Sequence, residues 1–351
     1  MDEYKPKINL RKMALVMVLA IILMAVAGWL LARENFYQTF EAIRSARLPL
    51  IAAAIAAYFI SVAAWAGRWQ TALSFINCRI SFLSRYLILW GTIFLNNITP
   101  GARVGGDPFG RIYMLRKLEN TSYSSGMASL IGEFALTPLV VVSLLMASLF
   151  LQFGKGSLQL SLLLMAAWVL ASLGTVFVPR LFFKKRIALK GVSNITNRVL
   201  GWFGKRNDVQ ETLEGIEALY SSTYSIIDQW QKVLLIGSWT LVTSGLDIFR
   251  FYAIFLALGY HDFTFAALLG ASSLPIIVGV IPLLPGGLVL VEGSLISILV
   301  LFGVPPEVAI AATVIDRAIT FAMSTIVGAV VFSYLGVKMA AKSGVQNQTT
   351  S

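Results

Sequence analysis

Six long apolar runs constrain the fold of this chain more than any other feature of its sequence. They lie near residues 13–31, 48–67, 127–150, 158–178, 233–258 and 308–336. A helix needs about 20 apolar residues to cross a bilayer, and each run is long enough. The chain is 57% hydrophobic and 13% charged, with a mean hydropathy of +0.78, which is too apolar for a soluble domain. The sequence predicts an all-α polytopic membrane protein with at least six full spans, located in the cell membrane.

The basic residues predict which loops face the cytoplasm. The formal net charge is +11, but lysines and arginines stand in short blocks beside apolar runs, which argues against nucleic-acid binding. The largest block is RLFFKKRIALK at 180–190. Such blocks mark the cytoplasmic side and attract anionic lipid. Lys338 and Lys342 follow the last run and predict a cytoplasmic C-terminus.

The first run, 13–31, is read as a signal anchor with a cytoplasmic N-terminus. Four basic residues precede it, and its Ala25-Val26-Ala27 resembles a cleavage site, so a cleaved signal peptide is the alternative. The run continues to Leu31 and is long enough to span, which favours the anchor.

Cys78 and His261 are the only cysteine and histidine. They offer no intrachain disulfide, and no metal or other cofactor is predicted.

The stretch NNITPGARVGGD, Asn96 to Asp107, interrupts the apolar segment that begins at Ser81. Only ten residues, 86–95, precede it without a polar break, and such short runs are more often re-entrant than spanning. A full crossing would also put the block at 180–190 outside the cell, against the positive-inside rule. We therefore predict that the segment enters, turns and returns. The residues that permit the turn are Pro100, Gly101, Gly105 and Gly106.

A helix is predicted to begin directly after this turn. Asp107 followed by Pro108 has the pattern of an N-cap and a first helical residue, and the helix would continue through Arg111. Amides at its N-terminus, with Arg103 nearby, would suit an anion such as a phosphate-bearing headgroup. A turn whose polar groups are satisfied within the protein is an equal alternative.

The same motif recurs at an offset of 185 residues. In LLPGGLVLVEG, 283–293, Pro285, Gly286 and Glu292 repeat the spacing of Pro100, Gly101 and Asp107, and Gly287 extends the turn. ASLIGEFALT at 128–137 aligns with ATVIDRAITF at 312–321, and the run at 48–67 aligns with the one that starts at 233. Three elements in the same order predict an internal duplication.

We assign 48–150 to repeat one and 233–336 to repeat two within a single membrane domain, 1–351. Residues 179–232 form a basic and amphipathic cytoplasmic connector. Counting spans gives the second repeat the opposite polarity, and such inverted repeats bring two broken segments together near the midplane, where substrate binds. For the second hairpin there is an alternative, because 265–284 is long enough to span despite Pro275 and Pro282.

Charged residues inside predicted spans are functional candidates, because charge is costly in a bilayer. Asp247 and Arg250 are three residues apart on a helix and can pair. Arg317 lies deep in a span, where it can bind a phosphate, and an ion pair with Glu133 or Glu292 is the alternative. The inventory also contains Arg68. The candidate substrate-binding residues are Asn96, Asn97, Arg103, Asp107, Arg111, Glu133, Asp247, Arg250, Glu292, Asp316 and Arg317.

The stretches NNITPGARVGGDPFGRIYML and LLPGGLVLVEGSLISILVLFGVPPEVAIAATVIDRAITF resemble the two signature regions of the lysylphosphatidylglycerol synthase transmembrane region family. That family includes the flippase half of the bacterial multiple peptide resistance factor and stand-alone membrane proteins, so the resemblance implies a lipid-translocating domain. The matched positions are Pro100, Gly101, Gly105, Gly106, Asp107, Arg111, Pro285, Gly286, Gly287, Glu292, Pro305 and Arg317.

Two departures from the family bear on function. The family often has Glu-Arg where this chain has Glu133-Phe134, so a first-repeat arginine is missing. The sixteen residues after Leu335 leave no room for the soluble aminoacyltransferase domain of full-length lysyl-lipid synthases. We therefore do not expect this chain to be an enzyme.

The predicted function is the movement of a lipid between leaflets. The lipid is an anionic or headgroup-modified phospholipid, or a polyprenyl-phosphate-linked glycan. One alternative is a membrane-embedded lipid-modifying transferase that uses Glu133, Asp247 or Asp316 as a base. Another is a non-transporting partner of a glycosyltransferase or lipid synthase. Association as a homodimer is left open.

Overall fold

A computed structural model describes residues 36–99, 105–134, 137–154, 158–182, 230–279 and 285–348. These ranges contain twelve α-helices and no strand, which confirms the all-α class. In chain order the helices are α1 Phe36–Arg44, α2 Leu48–Leu73, α3 Phe82–Ile98, α4 Arg111–Glu119, α5 Tyr123–Glu133, α6 Thr137–Phe153, α7 Leu158–Phe182, α8 Trp230–Ala257, α9 Phe265–Val278, α10 Leu290–Leu301, α11 Pro306–Arg317 and α12 Ser324–Gln348.

Among the described residues, four helical segments are long and apolar enough to cross a membrane: Leu48–Ile76, Ser125–Phe153, Gln231–Ala257 and Pro306–Ala341. They confirm four of the six predicted spans. The predicted span at 158–178 falls in α7, where the apolar stretch is the shorter Gln159–Leu173. The predicted span at 13–31 and most of the connector at 179–232 lie outside the described residues.

Hydroxyl caps set the beginnings of three helices at the hairpins. Ser81 Oγ accepts the backbone N–H of Ser84 at 3.1 Å before α3. Ser122 Oγ accepts the N–H of Ser125 at 3.1 Å before α5, and Thr264 caps α9 in the same way. These side chains satisfy N–H groups that have no partner within the helix. The short polar residues between apolar runs therefore determine where each limb begins.

The first helices of the two repeats, α2 and α8, pack against each other and run antiparallel. The backbone amide of Arg47, just before α2, donates to the carbonyl of Ala257, the last residue of α8, at 2.9 Å. At the opposite end, Lys232 Nζ donates to the carbonyl of Ser74 at 3.0 Å. The two repeats therefore have opposite directions, as an inverted repeat requires.

The other helix contacts are reciprocal between the repeats. Helix α3 packs on α12, and its counterpart α9 packs on α6. Likewise α5 packs on α2, and α11 packs on α8. Helices α2–α6 of the first repeat correspond in order to α8–α12 of the second, and each contact named here has a counterpart between the corresponding helices. The last helix of each repeat thus covers the hairpin of the other repeat.

The first hairpin, α3 and α4 with the turn between them, returns to the level where it began. Ile80, just before the N-cap of α3, lies in the same apolar cluster as Leu115 and Leu118 near the end of α4. Helix α5, which follows, packs against the 3₁₀ turn Ser74–Ile76 at the end of α2. The chain therefore enters and leaves this hairpin on one side, which confirms the predicted re-entry.

The second hairpin consists of α9 and α10, which have 14 and 12 residues. Each is shorter than the roughly 20 residues needed to cross a bilayer, and the two pack against each other. Between them Gly286 and Gly287 have φ values of +61° and +70°, in the left-handed region that glycine adopts without strain. The segment is a broken-helix hairpin whose first limb, α9, ends at Val278, before the end of the alternative span predicted over 265–284.

Candidate functional site

The turn of the second hairpin lies against the first hairpin inside the bundle. The turn Pro285–Gly287 of the second hairpin packs on α3 of the first. Gly286 lies against the ring of Phe321, where a Cβ would overlap the ring. Phe321 belongs to the π-helical segment Ala318–Met323 that joins α11 to α12. The structure therefore brings the two broken segments together, as the inverted repeat predicts.

The first turn is held by Asn96, which is buried at the end of α3. Its Oδ1 accepts the backbone N–H of Gly106 at 3.0 Å and that of Asp107 at 3.2 Å. A Cβ at Gly106 would overlap the carbonyl oxygen of Thr92. Asp107 has an extended backbone (φ −108°, ψ 124°), as an N-cap residue has before a proline. Two backbone amides of the turn are therefore satisfied within the protein.

Asn97 fastens the first hairpin to α12. Its Nδ2 donates to Ser324 Oγ at 3.1 Å and to Thr325 Oγ1 at 2.9 Å. Pro100, Gly101 and Arg103, which complete this turn in the sequence, lie outside the described residues. Asn96 and Asn97, both candidate substrate-binding residues, thus hold the hairpin in place.

Repeat one contains a buried network of four charged residues, which we call the repeat-one network: Arg68, Asp107, Arg111 and Glu133. Glu133 Oε1 accepts from Arg68 Nη2 at 3.1 Å and from the indole N–H of Trp65. Glu133 Oε2 accepts from Arg111 Nη1. The Nε of Arg111 lies 2.7 Å from Asp107 Oδ1. Two carboxylates face two guanidinium groups, so the network carries no net charge.

The contact of Arg111 with Glu133 was not predicted from the sequence. Arg111 is fully buried, and its Cζ lies 4.9 Å from the ring centroid of Trp65 and 5.0 Å from that of Trp69. The resemblance pointed to an arginine missing at Phe134, beside Glu133. In this chain α4, a limb of the hairpin, brings the Arg111 guanidinium to Glu133.

In repeat two, Arg250 is shared by two carboxylates. Arg250 on α8 forms an ion pair with Asp247, three residues earlier, so the predicted pair is confirmed. Its Nε lies 2.8 Å from Asp316 Oδ1 on α11. This α8–α11 pair matches the Arg68–Glu133 pair between α2 and α5. Each repeat therefore joins its first helix to the helix after its hairpin through an arginine and a carboxylate.

Arg317 binds the second hairpin at two points. Its Nε lies 2.5 Å from Glu292 Oε1 on α10, and its Nη2 donates to the backbone carbonyl of Gly286 in the turn at 3.2 Å. Asp316 turns away to Arg250, so these neighbours point to different partners. Of the two alternative ion pairs for Arg317, the structure forms the one with Glu292.

Several buried polar atoms in these groups make no hydrogen bond with the described residues, and Arg111 and Glu292 each contribute at least one. Arg111 Nη2 and Glu292 Oε2 have no hydrogen-bond partner among the described residues. Buried polar atoms are nearly always paired in proteins, so such exceptions require an explanation. One of the two, Glu292, belongs to the hairpin that Arg317 holds.

The sequence reasoning missed three uncharged members of the site. Trp65 and Trp69 lie on the same face of α2 as Arg68, and this spacing of three and four residues was the available signal. Thr240 on α8 accepts from Arg68 Nη1 at 3.5 Å. The part of the chain that the structure describes contains no group of three or more His, Cys, Asp or Glu residues suited to a metal ion.

An inverted repeat built around two broken hairpins, with buried ion networks beside them, defines an all-α polytopic membrane protein. The chain belongs to the family described as Lysylphosphatidylglycerol synthase TM region, which matches residues 15–328. The resemblance stated from the two signature regions is thereby confirmed.

Similar proteins come from archaea. A UPF0104 membrane protein of Methanothermobacter thermautotrophicus is 28% identical over 285 residues, 78% of this chain and 80% of the relative. UPF0104 membrane protein PH1989 of Pyrococcus horikoshii is 29% identical over 329 residues, 91% of this chain and 96% of the relative. These names state a membrane location and no activity. No solved structure matches the chain.

Proposed function

We propose that the protein moves a lipid with an anionic, phosphate-bearing headgroup between the two leaflets, and that Arg317 binds the headgroup. The observation that carries this proposal is the position of the Arg317 guanidinium, buried where the hairpins meet and bonded to both Glu292 and Gly286. Intramembrane arginines are functional candidates, and a guanidinium matches the geometry of a phosphate. Membership of a family that contains a flippase domain agrees with this function.

The proposed step is an exchange of anions at Arg317. A headgroup phosphate takes the place of Glu292 on the guanidinium, while the acyl tails remain in lipid. Glu292 then no longer links α10 to α11. Arg317 still has the turn as a partner, because it donates to the carbonyl of Gly286, and it now also binds the substrate. A ligand moves a conformational equilibrium only by contacting two states differently, and this exchange provides such a difference. Alternating access would follow from movement of the second hairpin.

The repeat-one network is assigned a supporting role. Glu133 is fully buried and is held by two arginines and an indole, so it has no free oxygen for a ligand. Because the network is neutral, it can persist within the bilayer without another ion. Repeat one would then be the fixed half against which the second hairpin moves.

The test is leaflet exchange in liposomes that contain the purified protein and labelled phospholipids or polyprenyl phosphates. Wild-type protein is expected to exchange lipids selectively by headgroup, relative to empty vesicles. Arg317→Ala is expected to slow exchange by about tenfold or more, since a charge-assisted contact contributes roughly 1.5–3 kcal/mol. Arg79→Ala, in an exposed loop, is the matched control and should behave as wild type.

Two results would contradict the proposal. Exchange by Arg317→Ala at the wild-type rate would remove Arg317 from the mechanism. The absence of exchange for every lipid, with and without a proton gradient, would instead support the transferase or partner alternatives.

A further inference from the structure

Among the described residues, Glu292 contacts a single cation. Its side chain is about nine-tenths buried, Oε1 accepts from Arg317, and Oε2 has no hydrogen-bond partner among the described residues. Helix α10 packs against α9 and α11. Helix α9 carries no charged residue, and α11 carries Glu307 in its first turn, Asp316 and Arg317. Arg317 is therefore the one cation that these two helices offer to Glu292.

No other arginine in the described part of repeat two is available to replace Arg317. Arg250 is already shared by Asp247 and Asp316. The described charged groups at the core of this repeat are thus three carboxylates and two arginines. Glu133 in repeat one is in a different position, because it contacts both Arg68 and Arg111 and would keep one if it lost the other.

An anion that takes Arg317 from Glu292 leaves a buried carboxylate without a counter-ion among the described residues. An isolated ionised carboxyl is so unfavourable in a low-dielectric interior that the group takes up a proton instead. We infer that binding of an anionic headgroup at Arg317 is coupled to the uptake of one proton by Glu292. This inference rests on the proposed exchange of partners at Arg317. The oxygen that has no partner, Oε2, is free to take the proton.

The charges balance in both states of the site. Without a ligand, the positive guanidinium and the negative carboxylate sum to zero. With a phosphodiester bound and Glu292 protonated, the guanidinium faces one negative phosphate and a neutral acid, and the sum is again zero. A site that is neutral in both states can change its exposure inside the bilayer without moving a net charge through hydrocarbon. The proton and the lipid would therefore move together, and a pH gradient would drive the lipid.

The direct test is to count protons taken up on binding. The purified protein is titrated with dihexanoyl phosphatidylglycerol, a phosphodiester with no proton to exchange near neutral pH, by calorimetry in buffers that differ in ionisation enthalpy. We expect about one proton to be taken up per lipid bound by wild type, and binding without uptake by Glu292→Gln. Asp262→Asn, in an exposed loop, should retain the wild-type count. Wild-type binding with no uptake would overturn the inference and leave the proposed function intact.

A second measurement needs no lipid. In Arg317→Ala, Glu292 has lost its cation and should be protonated at neutral pH, which gives a carboxylic-acid C=O band in the infrared spectrum. Wild type and the double variant Arg317→Ala/Glu292→Gln should lack this band. If the lipid does not bind but the band appears, the headgroup function fails while the proton site remains. If the band is absent from folded Arg317→Ala, Glu292 does not respond to loss of its counter-ion, and the inference is wrong.

Discussion

Asn97 and Thr325 are 228 residues apart in sequence, yet the side-chain amide of Asn97 donates to the hydroxyl of Thr325 at 2.9 Å. The tip of the repeat-one hairpin is thereby fastened to the last helix of repeat two. The preceding residue, Asn96, turns the other way and accepts two backbone amides of its own hairpin turn. Adjacent asparagines thus hold the hairpin from outside and from within.

This arrangement predicts a ranking of two alanine substitutions. Asn97→Ala removes hydrogen bonds to hydroxyls that already donate to carbonyls of their own helix, so we expect a loss of about 0.5–1 kcal/mol. Asn96→Ala leaves two amide N–H groups without their acceptor, so we expect a larger loss, about 1–3 kcal/mol. Thermal unfolding in mild detergent would measure both. An equal effect, or the reverse order, would show that Asn96 does not hold the turn.

The first turn also predicts a strong effect at one glycine. Gly106→Ala places a methyl group against the Thr92 carbonyl oxygen and the Asn96 side chain, and the backbone oxygen cannot rotate away. We expect a displaced turn and a clear drop in the yield of monodisperse protein by size-exclusion chromatography. Gly245→Ala on α8 is the matched control, because a Cβ there has no heavy atom within 4 Å. A Gly106→Ala protein with wild-type yield and thermal stability would mean that the turn does not pack on α3 in this way.

Local sequence signals were sufficient for the hairpins and the inverted repeat. The short apolar run before Asn96 predicted re-entry, and the spacing of Pro285, Gly286 and Glu292 predicted a second copy of the turn. These features depend on chain length, turn chemistry and charge bias, which are properties of short stretches. The structure confirms both broken segments and their meeting.

The ion pairs could be predicted only in part. Asp247 and Arg250 are neighbours on one helix, and their pairing followed from spacing alone. Glu133 and Arg68 are 65 residues apart, and their contact depends on how α5 packs against α2. No local pattern contains that information. For the same reason the sequence left Arg317 with two alternative partners.

Cys78 allows a test of the predicted topology without engineering. It lies in the loop between α2 and α3, half-buried, and should be cytoplasmic if the N-terminus is. Burial raises the pKa of the Cys78 thiol, and the nearby carboxylate of Glu119 raises it further. Because the thiolate is the reactive form, maleimide labelling should be slow at neutral pH and accelerate at alkaline pH.

The measurement is labelling with a membrane-impermeant maleimide on intact and on inverted vesicles. Cys78 should react only where the cytoplasmic face is accessible. His261→Cys in a Cys78→Ser background is the control, since His261 lies in the exposed loop between α8 and α9 and should react from the opposite face. Labelling of both positions from one side would contradict the antiparallel arrangement of the repeats across the membrane.

Glu133 and Glu292 should respond differently to substitution by glutamine. Both oxygens of Glu133 accept from donors, so in Glu133→Gln the new amide group must face one of them. The change also leaves two buried arginines with only Asp107, and breaking a buried pair costs about 3–5 kcal/mol. In Glu292→Gln, the amide nitrogen can occupy the position of Oε2, which meets no donor among the described residues, while the amide oxygen still accepts from Arg317. We expect a smaller loss there than in Glu133→Gln, because one buried guanidinium loses its carboxylate instead of two, and no change in Glu41→Gln, an exposed control on α1. Thermal unfolding of the three variants would test this order, and a Glu292→Gln protein as unstable as Glu133→Gln would mean that Glu292 is a structural ion-pair partner rather than a group free to change its charge.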